Sequence, residues 1–271
     1  MESLMVTGSR GTQLHVIHAG NCRGPPIVFI HGFSQSALAW TRQLNSRLTE
    51  KYRLIAVDLR GHGLSEKPRE GYTDSRSWAD DLQAVMQALE LDHPILCGWS
   101  YGPLVILDYL RHYGEANIRG VNFIGGVTKL GGDDAMSVLT ADFVSLVPGF
   151  LSEDSDQSVR SLSALLRLCF AEKLSDEDRY RMLGYNVSVP AYVRQALFSR
   201  TLDNDDLLAK LQSPVLITHG AADAVVKPAV IDQQMARINS ARIRMMATGH
   251  ACFWDDAVSY NGYLQEFADT L

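Results

Sequence analysis

The amino-acid sequence predicts an α/β protein: a mostly parallel central sheet with helices on both faces, and a helical cap inserted into the chain. Three observations lead there. Short apolar runs of strand length alternate with segments of helical periodicity from Ile27 to Ile124. The alternation stops between about Val127 and Gln212, where only helical patterns occur, and resumes at Val215. Runs such as Ile27-Val-Phe-Ile30 are apolar at every position, which suits parallel strands covered on both sides.

The elements follow in order. Leu4 to Thr7 and Gln13 to His18 read as a hairpin, with Gly8-Ser-Arg-Gly11 as its turn. Ile27 to Ile30 is a buried strand. Trp40, Leu44 and Leu48 then fall on one face of an expected helix, and Arg53 to Val57 is the next strand. After a Thr73-Asp74 start signal, Trp78, Leu82, Val85 and Leu89 recur at helical spacing. Ile95 to Cys97 is a strand that runs straight into Gly98-Trp99-Ser100-Tyr101-Gly102. A helix from about Pro103 to His112 and a strand from Val121 to Ile124 follow. In the strandless segment the helical candidates are Val159 to Cys169, Ser175 to Leu183, Pro190 to Ser199 and Asp203 to Leu211. Pro190 suits a first helical position. Val215 to Thr218 is a strand, Ile231, Met235 and Ile238 mark a helix, and Ile243 to Met246 is the last strand. From Phe253 to Leu271 apolar residues step by four and three along a final helix. The expected organisation is a core in two parts, 1–127 and 213–271, around a cap at 128–212.

Composition narrows the function classes. A chain of 271 residues buries roughly three quarters of its unfolded surface, so it needs no metal or disulfide staple. The net charge is −6, from 25 basic and 31 acidic residues, and no basic tract is placed to neutralise a phosphate backbone. Nucleic acid is therefore excluded as a partner. No apolar run reaches the length of a membrane helix. Cys22, Cys97, Cys169 and Cys252 are scattered, without zinc spacing, and read as reduced thiols. Since the first residues also lack a secretory pattern, a cytoplasmic protein acting on a small molecule is expected. Oligomeric state stays open.

The chemistry is concentrated in four places. Gly98-Trp99-Ser100-Tyr101-Gly102 lies between a strand and a helix. In that context a serine is held on a sharp turn, exposed to a substrate, with the helix N-terminus behind it. A hydroxyl is a weak nucleophile and needs a base. His250 follows Thr248-Gly249, after the last strand and before the last helix, where sites gather in such folds. The base needs a buried acid to orient it. Asp223 follows His219-Gly220-Ala221-Ala222 at the end of a strand. Each of these alone also reads as an ordinary loop residue; together, in these positions, they read as catalytic. The fourth place is His31-Gly32-Phe33, after the strand at Ile27. The backbone N–H groups of Phe33 and Tyr101 are the candidate oxyanion donors, and the His31 side chain is expected to support the loop. Phe33, Trp99 and Tyr101 flank the reacting centre as candidate substrate-binding residues, with a core position as the alternative for Trp99. Phe143, Leu146, Val147, Phe150, Leu162, Leu166, Phe170, Tyr192 and Leu197 either roof the site or pack the cap itself. Cys252 is either a reagent-sensitive thiol beside His250 or a small packing residue.

These motifs make the sequence resemble the α/β-hydrolase superfamily over nearly the whole chain. The matching pieces are His31-Gly-Phe33, Asp58-Leu-Arg-Gly-His-Gly-Leu-Ser65, Gly98-Trp-Ser-Tyr-Gly102, Pro214-Val-Leu-Ile-Thr-His-Gly220 with Asp223, and Gly249-His250. The chain order Ser100, Asp223, His250 is the order of that fold. Within the superfamily the sequence is similar to small bacterial esterases, lactonases and cofactor-free haloperoxidase-like enzymes, which carry a helical cap between the sixth and seventh core strands. The resemblance implies no metal or organic cofactor. Related dehalogenases and epoxide hydrolases use an aspartate where this chain has Ser100, so acyl chemistry is favoured. Asp58, Arg60 and His62 read as structural loop residues. Three readings compete: an esterase or lactonase acting on a small, largely apolar substrate; the same triad turned to C–C hydrolysis, lyase or perhydrolase chemistry; and a ligand receptor on a hydrolase scaffold.

Overall fold

The computed structural model describes residues 1–271. Its centre is an eight-stranded sheet in the order β1-β2-β4-β3-β5-β6-β7-β8. The strands are β1 (Glu2–Thr7), β2 (Gln13–Gly20), β3 (Pro26–Ile30), β4 (Arg53–Val57), β5 (Ile95–Trp99), β6 (Gly120–Ile124), β7 (Val215–Gly220) and β8 (Arg242–Met246). The β1–β2 and β2–β4 pairs are antiparallel, and every other pair is parallel. Every residue of β3, β5, β6 and β7 is buried, whichever way it points, so the sheet is covered on both faces.

The topology places the site. From β3 the chain passes to β4 on one side, then crosses back to β5 on the other side of β3. The winding reverses there, which opens a crevice outside the carboxyl ends of β3 and β5. The loop that starts at His31 leaves β3 at that edge, and Ser100 leaves β5 beside it.

Eight longer helices complete the chain: α1 (Ser75–Ala88), α2 (Gly102–Tyr113), α3 (Ala141–Phe150), α4 (Ser155–Cys169), α5 (Asp176–Val187), α6 (Ala191–Phe198), α7 (Val230–Met235) and α8 (Ala257–Ala268). Their starts have local chemical causes. The carboxylates of Asp74 and Asp154 accept from Arg76 N–H at 3.0 Å and Gln157 N–H at 2.8 Å, and Ser175 accepts from Asp178 N–H at 3.1 Å. Between β6 and β7 there is no strand, only α3 to α6 and two short turns of helix, Asp133–Ser137 and Asp205–Leu208. Isolated bridges, Leu130 to Leu202 and Leu139 to Val226, tie this segment to itself and to the loop after β7. No helix is long and apolar enough to cross a membrane. All four cysteines are free.

Several elements differ from the sequence reading. The helix expected through Trp40, Leu44 and Leu48 is broken into three short turns, Ala37–Trp40, Thr41–Leu44 and Leu48–Lys51. Asn45 and Ser46 break it by bonding the Thr41 and Gln43 carbonyls at 2.9 and 2.7 Å, an alternative to helix continuation. The final helix is interrupted at Asp256, which leaves a short turn at Cys252–Asp255, and the Asp256 carboxylate caps α8 through Ser259 N–H. Pro190 stands one residue before α6, as its cap, not inside it. Helix α3 has no counterpart in the reading, because Pro148 and Gly149 near its end look like a breaker.

One buried ion pair locks the first hairpin to the core. The Asp81 carboxylate on α1 accepts from Arg60 Nε at 2.6 Å, Arg60 Nη2 at 2.7 Å and Ser9 N–H at 2.8 Å. Both side chains are almost fully buried. Removing one partner of such a pair strands the other charge. Asp81→Ala should therefore lose about 3–5 kcal/mol of stability, read as a fall in the urea midpoint at unchanged slope. A loss under about 1 kcal/mol would show that Arg60 finds solvent without Asp81.

Candidate active site

Between the end of β5 at Trp99 and the start of α2 at Gly102 the chain has two residues in which to reverse. Ser100 takes a φ of +59°. That left-handed conformation costs a non-glycine residue about 1–3 kcal/mol. It is held from both sides by the end of β6 and the loop that follows: Ser100 N–H donates to the Ile124 carbonyl at 2.9 Å, and the Ser100 carbonyl accepts from Val127 N–H at 3.0 Å. A Cβ at Gly102 would stand 2.6 Å from the Ile30 carbonyl oxygen, so the turn closes onto β3 only with glycine there. Pro103, in the first turn of α2, lacks an N–H that the helix does not use.

The loop after β3 comes up beside this turn. A Cβ on Gly32 would lie 2.8 Å from the Ser100 Cβ. Neither Phe33 N–H nor Tyr101 N–H donates to any protein acceptor, so both are available to a substrate oxygen. His31 sets the direction of the first. Its Nδ1 donates to the Gly32 carbonyl at 2.8 Å, while its Nε2 accepts from Leu59 N–H at 3.0 Å. The Gly32 carbonyl and the Phe33 N–H belong to one planar trans peptide, so fixing one fixes the other in the opposite direction. The arrangement needs a neutral His31, and burial holds its pKa below the ordinary value. The His62 ring lies 4.9 Å away, tilted by 55°, and donates from Nδ1 to the Arg60 carbonyl at 2.9 Å. Burial first, then the charge His31 would carry, lowers its pKa to about 3.

Asp223 follows β7 and His250 follows β8. His250 Nδ1 lies 2.8 Å from Asp223 Oδ2, with both side chains sealed from solvent. The second carboxylate oxygen accepts from the N–H groups of Val225 and Val226, each at 2.8 Å. His219, which the sequence reading placed just past the strand without a role, adds its Nε2 at 3.3 Å from Oδ2 while donating to the Val226 carbonyl at 3.0 Å. Gly125, with φ +49°, keeps the space clear: a Cβ there would sit 3.1 Å from His250 Nδ1. The remaining His250 nitrogen, Nε2, is buried without a partner. The backbone around His250 is fastened as well. Its carbonyl accepts from Trp99 Nε1 at 3.0 Å, Gly249 N–H donates to Asp255 at 2.8 Å, and Ala251 N–H donates to the Cys169 carbonyl at 2.8 Å.

Ser100 and His250 border one cavity of about 270 Å³, together with Gly32, Phe33, Gln35, Trp99, Phe143, Leu165, Cys169 and Val225. A second cavity of about 440 Å³ adjoins it, sharing Phe33, Ser100, Phe143 and Val225, and Ser100 is the one non-hydrophobic residue among its eleven lining residues. Phe33 and Tyr101 are among its lining residues. Of the two places left open for it, Trp99 shares both: it lines the smaller cavity, and its ring packs on His250 and Phe253 with its Nε1–H spent on the His250 carbonyl. Of the expected roof, Phe143 and Leu197 reach the larger cavity. Phe150 stands behind Phe33 and Phe143. Leu162, Leu166 and Phe170 are buried as cap packing, and Tyr192 bonds the Lys67 carbonyl. Missed were Val127, Leu130, Leu139, Phe198 and Val226, which line the larger cavity from loops or helix ends. Arg200 was missed too. Its guanidinium donates to the Tyr101 hydroxyl at 2.9 Å and to both oxygens of Asp108 at 2.8 and 2.7 Å. Burial raises the Asp108 carboxyl to about 6, against the pull of Arg200. Burial also pushes the Cys252 and Cys169 thiols up, which leaves them as packing groups, not nucleophiles. No group of three His, Cys, Asp or Glu side chains is placed to hold a metal ion.

Known proteins match this chain along most of its length. A family model described as the alpha/beta hydrolase fold matches residues 25–257. The crystal structure of the esterase RhEst1 from Rhodococcus sp. ECU1013 is similar with a TM-score of 0.94 and 34% identity, over 100% of both chains. The esterase EaEST from Exiguobacterium antarcticum has a TM-score of 0.85 and 26% identity, over 99% of this chain and 100% of its own. A non-heme chloroperoxidase from Streptomyces lividans is 28% identical over 240 residues, 82% of each chain.

The buried histidines make stability depend on pH. His31, His62 and His219 all have folded values below the 6.5 of a free histidine, with burial the first cause of each. The unfolded chain takes up protons near pH 6.5 that the fold refuses. Stability is therefore full above that pH and is lost as pH falls towards the folded values. The urea midpoint should drop between pH 7 and pH 5. His62→Gln should reduce the slope by up to about 1.4 kcal/mol per pH unit. An unchanged slope in that variant would mean that His62 titrates normally in the fold.

Proposed function

The chain belongs to the α/β-hydrolase family and is a hydrolase, and we propose that it cleaves carboxylic esters, lactones included, through Ser100, His250 and Asp223. One observation carries this reading. The His250 imidazole is pinned to Asp223 through Nδ1, while its free Nε2 and the strained Ser100 border the same cavity. In the proposed reaction Nε2 takes the Ser100 proton as Oγ attacks the ester carbonyl. Phe33 and Tyr101 N–H groups receive the oxyanion. The tetrahedral centre collapses, the alcohol leaves with the proton from Nε2, and an acyl-serine remains. Water then gives its proton to Nε2, attacks the acyl carbon and releases the acid. The Asp223 carboxylate stays ionised and stabilises the imidazolium each time it forms.

A second reading is favoured by the relative named as a non-heme chloroperoxidase. Hydrogen peroxide can replace water in the second half, so that the acyl-serine leaves as a peracid. The first half of the reaction is unchanged.

Wild type should hydrolyse p-nitrophenyl esters, from acetate upward, and Ser100→Ala should lose about a thousandfold or more in kcat/KM. Equal rates for the two proteins would exclude Ser100 as nucleophile. Asp223→Asn should keep the fold and lose about 10³–10⁴ in kcat, because the wrong histidine tautomer is then favoured. Peracid made from ester and hydrogen peroxide, detected by bromide oxidation, separates the second reading from simple hydrolysis.

A further inference from the structure

We propose that the two cavities divide the substrate: the larger, apolar one takes the acyl group and the smaller one, beside His250, takes the alcohol. The preferred substrate class is then an ester of a bulkier apolar acid with a small alcohol. This rests on the ester-hydrolysis reading above.

The assignment follows from where a proton must go. The tetrahedral carbon bonded to Ser100 Oγ carries three other groups: the oxyanion, the leaving oxygen and the acyl chain. The oxyanion is directed at the Phe33 and Tyr101 N–H groups. The leaving oxygen must meet the N–H of His250 at hydrogen-bond distance, since the C–O bond breaks as that oxygen takes the proton. His250 lines only the smaller cavity. The alcohol is thereby drawn into the smaller space, and the acyl chain, the remaining substituent, into the larger.

The chemistry of the walls agrees. Leu130, Leu139, Leu197 and Val226 give the acyl side apolar walls. The one phenol there, on Tyr101, is occupied by Arg200. A charged acyl chain would find no partner in it. The acyl side, at about 440 Å³ with the open space at its mouth included, is larger than the alcohol side, at about 270 Å³ on the same measure. Leu165 and Cys169 of α4 and the Gln35 side chain bound the alcohol side. Gln35 is itself fixed by Asn186 of α5, amide to amide, at 3.4 Å. The far walls of the alcohol side therefore belong to cap helix α4 and to a loop pinned by the cap.

Two ester series test this. In one, the alcohol stays ethanol and the acid lengthens from acetate to hexanoate; in the other, the acid stays acetate and the alcohol lengthens from methyl to hexyl. We expect kcat/KM to rise at least tenfold along the first series and to fall at least tenfold along the second. Leu165→Ala should raise kcat/KM for hexyl acetate about tenfold and leave the acyl profile in place. Leu197→Ala should move the acyl optimum to longer chains without helping hexyl acetate. Cys169→Ala serves where Leu165→Ala fails to fold. Reversed preferences, flat profiles, or variants with exchanged effects would overturn the assignment while leaving the esterase intact. No turnover of any ester, p-nitrophenyl acetate included, would overturn the esterase reading and this one with it. p-Nitrophenyl acetate has an activated leaving group that departs without a proton, so its turnover reports the Ser100 chemistry even where unactivated alkyl esters are slow, which keeps the two failures apart.

Discussion

The left-handed backbone at Ser100 is unfavourable on its own by about 1–3 kcal/mol, and it persists because neighbouring strands over-determine it. β5 is paired on both edges, to β3 and to β6, so its end cannot move sideways. The end of β6 and the loop that follows then take both the N–H and the carbonyl of Ser100. Gly102 lets the turn come within contact of the Ile30 carbonyl, and Gly32 lets the next loop come within contact of the Ser100 side chain. A sheet that is buried on both faces is stiff enough to bear this strain. The two-sided burial of β3, β5 and β6 is thus part of the site, not only of the core.

The proposed base is held by a different principle. His250 stands on a loop, and loops move unless their backbone groups are tied. Here the ties come from separate elements: the indole of Trp99 from β5, the Asp255 carboxylate from the turn before α8, and the end of α4 from the cap. Asp223 has little freedom left, because its oxygens already face two N–H groups, His250 and His219. The cap therefore does two things at once. It walls the cavities, and through the Cys169 carbonyl it sets the height of the loop that carries His250.

How far the sequence disclosed this depends on how narrow each physical demand is. The Ser100 turn, the glycine at Gly32 and the proposed acid and base at strand ends allow few residue types, so Gly98 to Gly102, His31 to Phe33, Asp223 and His250 stood out by type and place. The strands of the core were legible because burial on two faces admits only apolar runs. The cavity walls were not. Leu130, Leu139 and Val226 come from loops and isolated bridges, where nothing recurs at a fixed spacing and any apolar residue would read the same. Helix α3 was hidden by Pro148, which the last turn of a helix tolerates when packing holds it. The Trp99 indole was ambiguous for a related reason: a residue beside a nucleophile on a strand end faces either the substrate or the core, and only the position of the His250 carbonyl decides.

Arg200 shows what remains invisible even when every motif is found. It follows α6 closely, two residues after Phe198, which lines the larger cavity. Its charge is buried against Asp108 of α2 and the Tyr101 hydroxyl, and it lies 5.7 Å from the Trp78 ring. Tyr101 is the residue whose N–H faces the candidate oxyanion position. The pair with Asp108 is an expensive way to join two helices, since apolar side chains of the same volume would do so at lower desolvation cost. What an apolar replacement would not supply is direction. A guanidinium fork bonded to a carboxylate and a phenol fixes the phenol in angle as well as distance. With its hydroxyl anchored on one side and its backbone at the start of α2 on the other, Tyr101 cannot rotate its peptide without breaking a buried charge-assisted bond. The last residues of the cap are in this way coupled to the donor beside Ser100.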